Sequence, residues 1–213
     1  MACEGFIRPI VSPLCLCCGV PFETSVGPDH LCGRCFAHPP AFRHARSWAY
    51  YQSGATLPHP LNEAIQHFKY YRSLSTGKVL ATLGAMNFPF DGRDYDLIVP
   101  VPLHAQRLRW RGFNQSLILS HAIGLAHSIP VDPFLLRRIR STVPQTQLSE
   151  SERRANVRGA FATHSVERLK EKRVLLVDDV YTSGATAEEC TKVLRRGGAE
   201  IVDVFTLARA VTH

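Results

Sequence analysis

Four cysteines stand in two pairs, Cys15-x-x-Cys18 and Cys32-x-x-Cys35, with thirteen residues between the pairs. Gly19 follows the first pair and Gly33 interrupts the second, so the backbone can turn back and aim two thiolates at one ion. Two such pairs fit a closed tetrahedral four-sulfur site of the kind that holds a structural zinc ion. Metal binding would then supply folding free energy to a segment with little core of its own. A redox pair and chance buried cysteines are the competing readings, and two matched pairs are harder to obtain by accident than one. Cys17 lies between the first two ligands and can substitute for either, whereas His30 and His44 read as bystanders.

A second chemical grouping is Val174-Leu175-Leu176-Val177-Asp178-Asp179-Val180-Tyr181-Thr182-Ser183-Gly184-Ala185-Thr186. A strand buried on both faces runs into two adjacent carboxylates, then into a loop of small hydroxyl residues and glycine that opens a helix. Such a loop lies in the crevice where open α/β sheets bind ligands. Helix N-terminal N–H groups with the Thr182, Ser183 and Thr186 hydroxyls suit a phosphate monoester, and Gly184 allows close approach. The carboxylates make sense if the ligand carries a vicinal diol at its other end, with a divalent cation offsetting the charge crowding. That ligand is a ribose 5-phosphate unit. The bland alternative is an Asp-Asp turn followed by a helix cap. No Gly-Lys-Ser/Thr phosphate loop and no Gly-x-Gly-x-x-Gly fingerprint occurs in the chain.

The charge distribution points the same way. Of the 213 residues, 25 are Lys or Arg and 18 are Asp or Glu, a formal net charge of +7. Between His104 and Arg158 nine arginines face three acids, which accounts for nearly the whole excess. Guanidinium grips phosphate bidentately, so a polyanionic ligand near this segment is the simple inference, with solvated helix faces as the alternative.

The elements that must position these groups follow from patterning. Residues 1–44, rich in Cys, Pro, Gly and His, have no useful period and read as a separate zinc-binding module. From residue 45 the texture becomes one α/β domain. Strands are expected near Trp48–Gln52, Leu97–Val101, Phe134–Ile139, Val174–Val177 and Ile201–Leu207. Helices are expected over Pro60–Arg72, Ser75–Met86, Asn114–Ala126 and Ala185–Arg196, with a Ser149/Glu152 capping box opening one to Val157. Gly197-Gly198 reads as a helix C-cap. Strand, helix, strand at the C-terminal end implies a parallel crossover. No apolar run reaches the roughly 18 residues of a membrane span, and the N-terminus lacks a signal-peptide pattern, so a cytoplasmic protein without membrane insertion is expected.

The segment Val174–Thr186 resembles the phosphoribosyl pyrophosphate motif of type I phosphoribosyltransferases. With it stand the four-Cys N-terminus, Lys69 after His67-Phe68, the run Val99 to His104, Arg107 with Arg111-Gly112-Phe113-Asn114-Gln115, and Asn156-Val157-Arg158-Gly159-Ala160-Phe161. Together they resemble the ComF competence family, in family order from Cys15 to about Leu207, and the Arg-Gly-Phe-Asn-Gln block is the most specific. Pro144 immediately before Gln145 is a local departure. The resemblance implies a Rossmann-like type I phosphoribosyltransferase domain with a mostly parallel sheet behind a zinc module. It implies that Asp178 and Asp179, the candidate catalytic pair, hold the ribose hydroxyls. Tyr181, Thr182, Ser183, Gly184, Ala185 and Thr186 would hold the 5-phosphate, Leu103 and His104 would form the pyrophosphate loop, and Arg107 and Arg111 would cover the pyrophosphate. Phosphoribosyl pyrophosphate with Mg²⁺ is the implied ligand.

Phosphoribosyl transfer needs little dedicated acid or base, because the protein mainly steadies departing pyrophosphate, so turnover cannot be read from a catalytic base. No acceptor pocket is marked either. The resemblance points to DNA uptake in natural transformation, with single-stranded DNA and competence-machinery proteins such as a DNA-translocating helicase as partners. Trp110 and Phe113 interleave with Arg109 and Arg111, an arrangement in which aromatics stack on bases while guanidiniums follow phosphates. An active phosphoribosyltransferase of nucleotide metabolism or salvage with no DNA role is the alternative.

Overall fold

The computed structural model describes residues 7–24, 26–51, 60–143 and 149–210; Gln52 and Gln145 lie outside them. Among the described residues six strands and eight α-helices follow in chain order. They are α1 (Gly33–Ala37), β1 (Ala45–Tyr51), α2 (Pro60–Tyr70), α3 (Leu74–Met86), β2 (Leu97–Pro100), α4 (Ala105–Arg111) and α5 (Gln115–His127), then β3 (Leu136–Arg138), α6 (Glu150–Val157), β4 (Phe161–Thr163), α7 (Val166–Leu169), β5 (Arg173–Tyr181), α8 (Ala185–Arg196) and β6 (Ile201–Ala210). The main sheet has the order β1-β6-β5-β2, and all three pairings are parallel.

Both faces of this sheet are covered, which is why β5 reads as an unbroken apolar run rather than an alternation. Val174 and Leu176 pack with Cys190, Val193 and Leu194 of α8 on one face. Leu175 and Val177 pack with Leu61 and Ile65 of α2, Leu80 of α3 and Leu119 of α5 on the other. Cys15, Cys18, Cys35 and Phe42 share the first of these layers, so the N-terminal segment covers the sheet as a helix would. Residues 8–10 also run antiparallel along the outer edge of β1, with Ile10 N bonded to Trp48 O and Tyr50 N to Arg8 O.

Several expectations meet a difference. β5 continues through both aspartates to Tyr181, because β6 extends beside it and pairs Asp178 with Thr206 and Tyr181 with Arg209. The strand expected near residue 134 shortens to β3 and pairs antiparallel with the unexpected β4, outside the main sheet. The short helices α1, α4 and α7 were not expected. The Ser149/Glu152 capping box is formed as read, and Gly197 caps α8. No described helix is long and apolar enough to cross a membrane.

Candidate functional site

The end of β5 delivers Asp178 and Asp179 to different neighbours. Asp178 Oδ1 accepts from Ser116 Oγ at 2.9 Å, in the first turn of α5, and from Asp179 N at 2.9 Å. Asp179 Oδ2 pairs with Lys69 Nζ of α2 at 2.9 Å. Burial first, and the Asp179 charge second, push the Asp178 carboxyl up to about 7, against the pull of its hydrogen bonds and of Lys69. A carboxyl so poised is relieved by hydroxyl donors or a cation arriving at the site.

Beyond Tyr181 the loop turns into α8 through Gly184, whose φ of +78° is the left-handed conformation that favours glycine. No side chain caps α8, because its N-cap is this glycine, while Ser183 Oγ accepts from Ala185 N at 3.4 Å. A Cβ at Gly184 would lie 2.2 Å from Tyr181 Oη. Tyr181 cannot yield freely: its ring lies 4.3 Å under the Arg209 guanidinium and meets Phe42 edge-on at 6.5 Å. Gly184→Ala is therefore expected to shift the loop, lowering Tm by about 3–6 °C and removing most stabilisation by a ribose phosphate ligand. Differential scanning fluorimetry with and without ligand checks this, and an unchanged ligand response would mean that the phosphate sits elsewhere.

Near the carboxylates stands a group of arginines from α4 and β3. Leu103 and His104 connect β2 to α4, with His104 capping the helix at Gln106 N. Gly112, at φ +88°, ends α4, and Asn114 caps α5 while its Nδ2 donates to Val101 O at 3.0 Å. The Arg-Gly-Phe-Asn-Gln block is thus a helix-to-helix corner tied to the end of β2. Arg107 and Arg111 are four residues apart and share a helix face. Arg111 is buried and its Nε has no hydrogen-bond partner, as is true of Arg138 Nε from β3. Burial draws the Arg111 guanidinium below its ordinary pKa; Asp179 opposes that and Arg107 adds to it. Burial, then Arg107, does the same to Arg138. Among the described residues none of the three has a carboxylate within ion-pair distance. Buried donors left in this state call for an anion.

The four sulfurs of Cys15, Cys18, Cys32 and Cys35 lie within 4.8 Å of one another. Cys18 Sγ and Cys32 Sγ are 3.8 Å apart, the separation of about 3.8 Å that a tetrahedron of Zn–S bonds of about 2.3 Å requires. Cys15 Sγ also accepts from Cys32 N at 3.3 Å, the pattern of a thiolate held by a backbone turn. Burial and neighbouring thiols raise the Cys35 pKa well above its ordinary value, a conflict that a cation removes. The donor set fits a structural metal ion. Cys17 instead turns its thiol to Arg43 O at 3.3 Å, and His30 stacks on Phe22.

This module also supports the loop between β5 and α8. Arg34 Nη2 donates to Ser183 O at 3.1 Å, Ala41 N to Glu188 Oε2 at 2.8 Å, and Arg209 Nη1 to Cys18 O at 2.7 Å. Arg34, Ser116 and Arg209 were not singled out from the sequence, and Arg138 was counted only among the nine arginines between His104 and Arg158. The aromatic–arginine group is divided: Arg109 and Trp110 are exposed, whereas Arg111 is buried and Phe113 stacks on Phe68 at 5.1 Å. Arg72 donates to Trp110 O and lies 5.6 Å over its ring, and exposed Tyr70 and Tyr71 sit at the same end of α2.

The family model for the phosphoribosyl transferase domain matches residues 124–212. Competence protein F of Haemophilus influenzae is 34% identical over 98% of this chain and 90% of its own length. DNA utilization protein YhgH of Salmonella typhimurium is 32% identical over 98% and 89%. Among solved structures, the glutamine phosphoribosylpyrophosphate amidotransferase from B. subtilis aligns with 61% of this chain and 25% of its own at 24% identity, with a TM-score of 0.42. The likeness to the two full-length relatives runs through both the thiol cluster and the strand–loop–helix site; the chain belongs to the ComF competence family, with a type I phosphoribosyltransferase-like α/β fold behind a four-cysteine module.

Proposed function

We propose that this protein binds phosphoribosyl pyrophosphate with Mg²⁺ at the end of β5 and takes part in handling single-stranded DNA during uptake. The observation that carries the ligand is the juxtaposition of Asp178 and Asp179, the glycine-capped start of α8, and the guanidiniums of Arg107, Arg111 and Arg138, the last two with an orphaned buried Nε donor. In this reading the ribose hydroxyls donate to the two carboxylates. The 5-phosphate takes the Thr182–Thr186 loop, and Leu103, His104 and the arginines meet the pyrophosphate. Mg²⁺ supplies charge neutralisation on the pyrophosphate oxygens. The chain's own part is to hold the ribose between two carboxylates while buried guanidiniums face the charge that builds on the departing group. Cys15, Cys18, Cys32 and Cys35 hold one structural zinc ion within the module of residues 1–44, and residues 45–213 form the ligand-binding domain.

The names of the relatives, Competence protein F and DNA utilization protein YhgH, support a role in DNA utilisation and competence, and the family resemblance implies a DNA-translocating helicase as a partner class. Exposed Arg109 and Trp110, joined by Tyr70, Tyr71 and Arg72, support base stacking on the α2–α4 surface; Arg111 and Phe113 are turned inward and serve the corner instead. The deciding experiment is thermal stabilisation by phosphoribosyl pyrophosphate with Mg²⁺, followed by pyrophosphate release with a panel of bases and amines, with and without DNA. Stabilisation with release identifies a transferase, stabilisation without release a binding protein, and no stabilisation at millimolar ligand overturns the assignment.

A further inference from the structure

On the sheet face opposite α2, α3 and α5, a cleft of about 1310 Å³ opens between the N-terminal module, α6 and α8. Its walls carry Arg34 from the module, Arg154 and Arg158 from α6 and its exit, and Lys192, Arg195 and Arg196 from α8. All six are exposed. The two carboxylates in the lining are engaged as clamps. Glu188 accepts from Ala41 N at 2.8 Å and pairs with Lys192 at 3.0 Å, while Glu189 accepts from Gly159 N at 2.8 Å. Arg195 and Arg196 donate to backbone carbonyls, and the last turn of a helix favours cations, which accounts for those two alone. It does not account for arginines converging from the two other walls. Among the described residues Arg158, Arg195 and Arg196 have no carboxylate partner.

The chemistry of this cleft is that of a polyanion site. The Phe42 and Tyr181 rings in its lining are buried and His38 is the one exposed aromatic ring there among the described residues, so recognition runs chiefly through charge and not through bases. Five of these six exposed cations are arginines, whose forked N–H groups match phosphate oxygens. A duplex is a broad convex rod that lies across a surface, whereas a single strand can enter a trough walled on three sides. Ser183 and Gly184 also line it, in the same loop that Arg34 contacts.

We propose that this cleft is the track for the phosphodiester backbone of a single-stranded nucleic acid, separate from the α2–α4 surface. This rests on the reading that the protein handles single strands and names where the strand lies. The probe is a labelled oligothymidylate, followed by fluorescence anisotropy at several salt concentrations with zinc-loaded protein. Arg158→Glu with Arg196→Glu is expected to weaken binding at least tenfold and to make log K against log salt shallower by about one to two units. Arg158→Gln with Arg196→Gln should give an intermediate loss, and both variants should keep their zinc and their response to phosphoribosyl pyrophosphate. Arg109→Ala with Trp110→Ala is the comparison and should lose less. Cleft variants that bind like the parent while the α4 variant fails would overturn the cleft assignment alone. No binding by the parent would overturn the single-strand reading with it. Displacement by polyglutamate as effective as by unlabelled strand would make the cleft an acidic-peptide site and overturn the proposal.

Discussion

Replacing Asp178 and Asp179 together by asparagine should remove the thermal stabilisation expected from phosphoribosyl pyrophosphate with Mg²⁺, because the shape is kept while both proposed acceptors of the ribose hydroxyls lose their charge. At a ligand concentration 100 times Kd the parent should gain about 2.7 kcal/mol, and the double variant should gain almost none of it. Asp178→Asn alone gives a second, opposite signature in the ligand-free protein. The folded state holds the Asp178 proton up to about pH 7, far above the ordinary carboxyl value of 3.8, because of burial and then Asp179. The free protein therefore loses stability as pH rises from about 4 to about 7, where only the unfolded chain ionises this group. Asparagine stands in for the protonated carboxyl and still accepts from Ser116 Oγ. Asp178→Asn should raise Tm by about 4–8 °C at pH 8, with the gain vanishing near pH 4. Thermal melts of parent and variant across that range decide it; a variant less stable than the parent at pH 8 would show that the carboxylate is satisfied within the chain.

Cys35→Ser is expected to be the most destabilising single change. The residue is 4% exposed, sits within the thiol cluster, and shares the apolar layer with Val174, Leu176 and Tyr181. Loss of a structural metal belongs to the class of changes that cost more than about 4 kcal/mol, so Tm should fall by about 10 °C or more. Elemental analysis should find one zinc per parent chain and less than half an equivalent in the variant. The effect should reach the ligand site, since Arg34 holds Ser183 O and Arg209 joins Cys18 O to the Tyr181 ring beneath the loop. Response to phosphoribosyl pyrophosphate should fall along with metal content. Cys17→Ser is the control, expected to retain zinc because that thiol already bonds to the Arg43 carbonyl. A zinc-free Cys35→Ser protein with full ligand response would make the module a passenger on the fold.

The parts legible in the chain were those whose geometry is local. A Cys-x-x-Cys turn brings two sulfurs together within four residues, and four apolar residues followed by Asp-Asp and a small-residue loop specify strand, carboxylates and helix start in one stretch. Both groupings appear in the structure as contiguous pieces. Helix α4 was missed because Arg107, Arg109 and Arg111 recur every second residue, a strand-like spacing, while the caps at His104 and Gly112 are what close the helix. Winding it into a helix puts Arg107 and Arg111 on one face and leaves Arg109 off it. That Arg107 and Arg111, the pair the resemblance singles out, share a face is thus a matter of helical phase, not composition.

What only the tertiary structure decided is the company these local pieces keep. Asp178 and Asp179 belong to β5 and not to a loop because β6 runs beside them, and that depends on strand order. Lys69, Ser116 and Arg138 reach the carboxylates or the arginine group from three different elements. Arg34 and Arg209 reach the β5–α8 loop from opposite ends of the chain. The aromatic residue that Phe113 was read to be is taken by Phe68, whereas Trp110 three positions earlier stays exposed. Spacing along a chain sets which side chains share a turn or a helix face, but whether a face is buried, and which distant charge comes to neutralise it, depends on what the folded sheet sets against it.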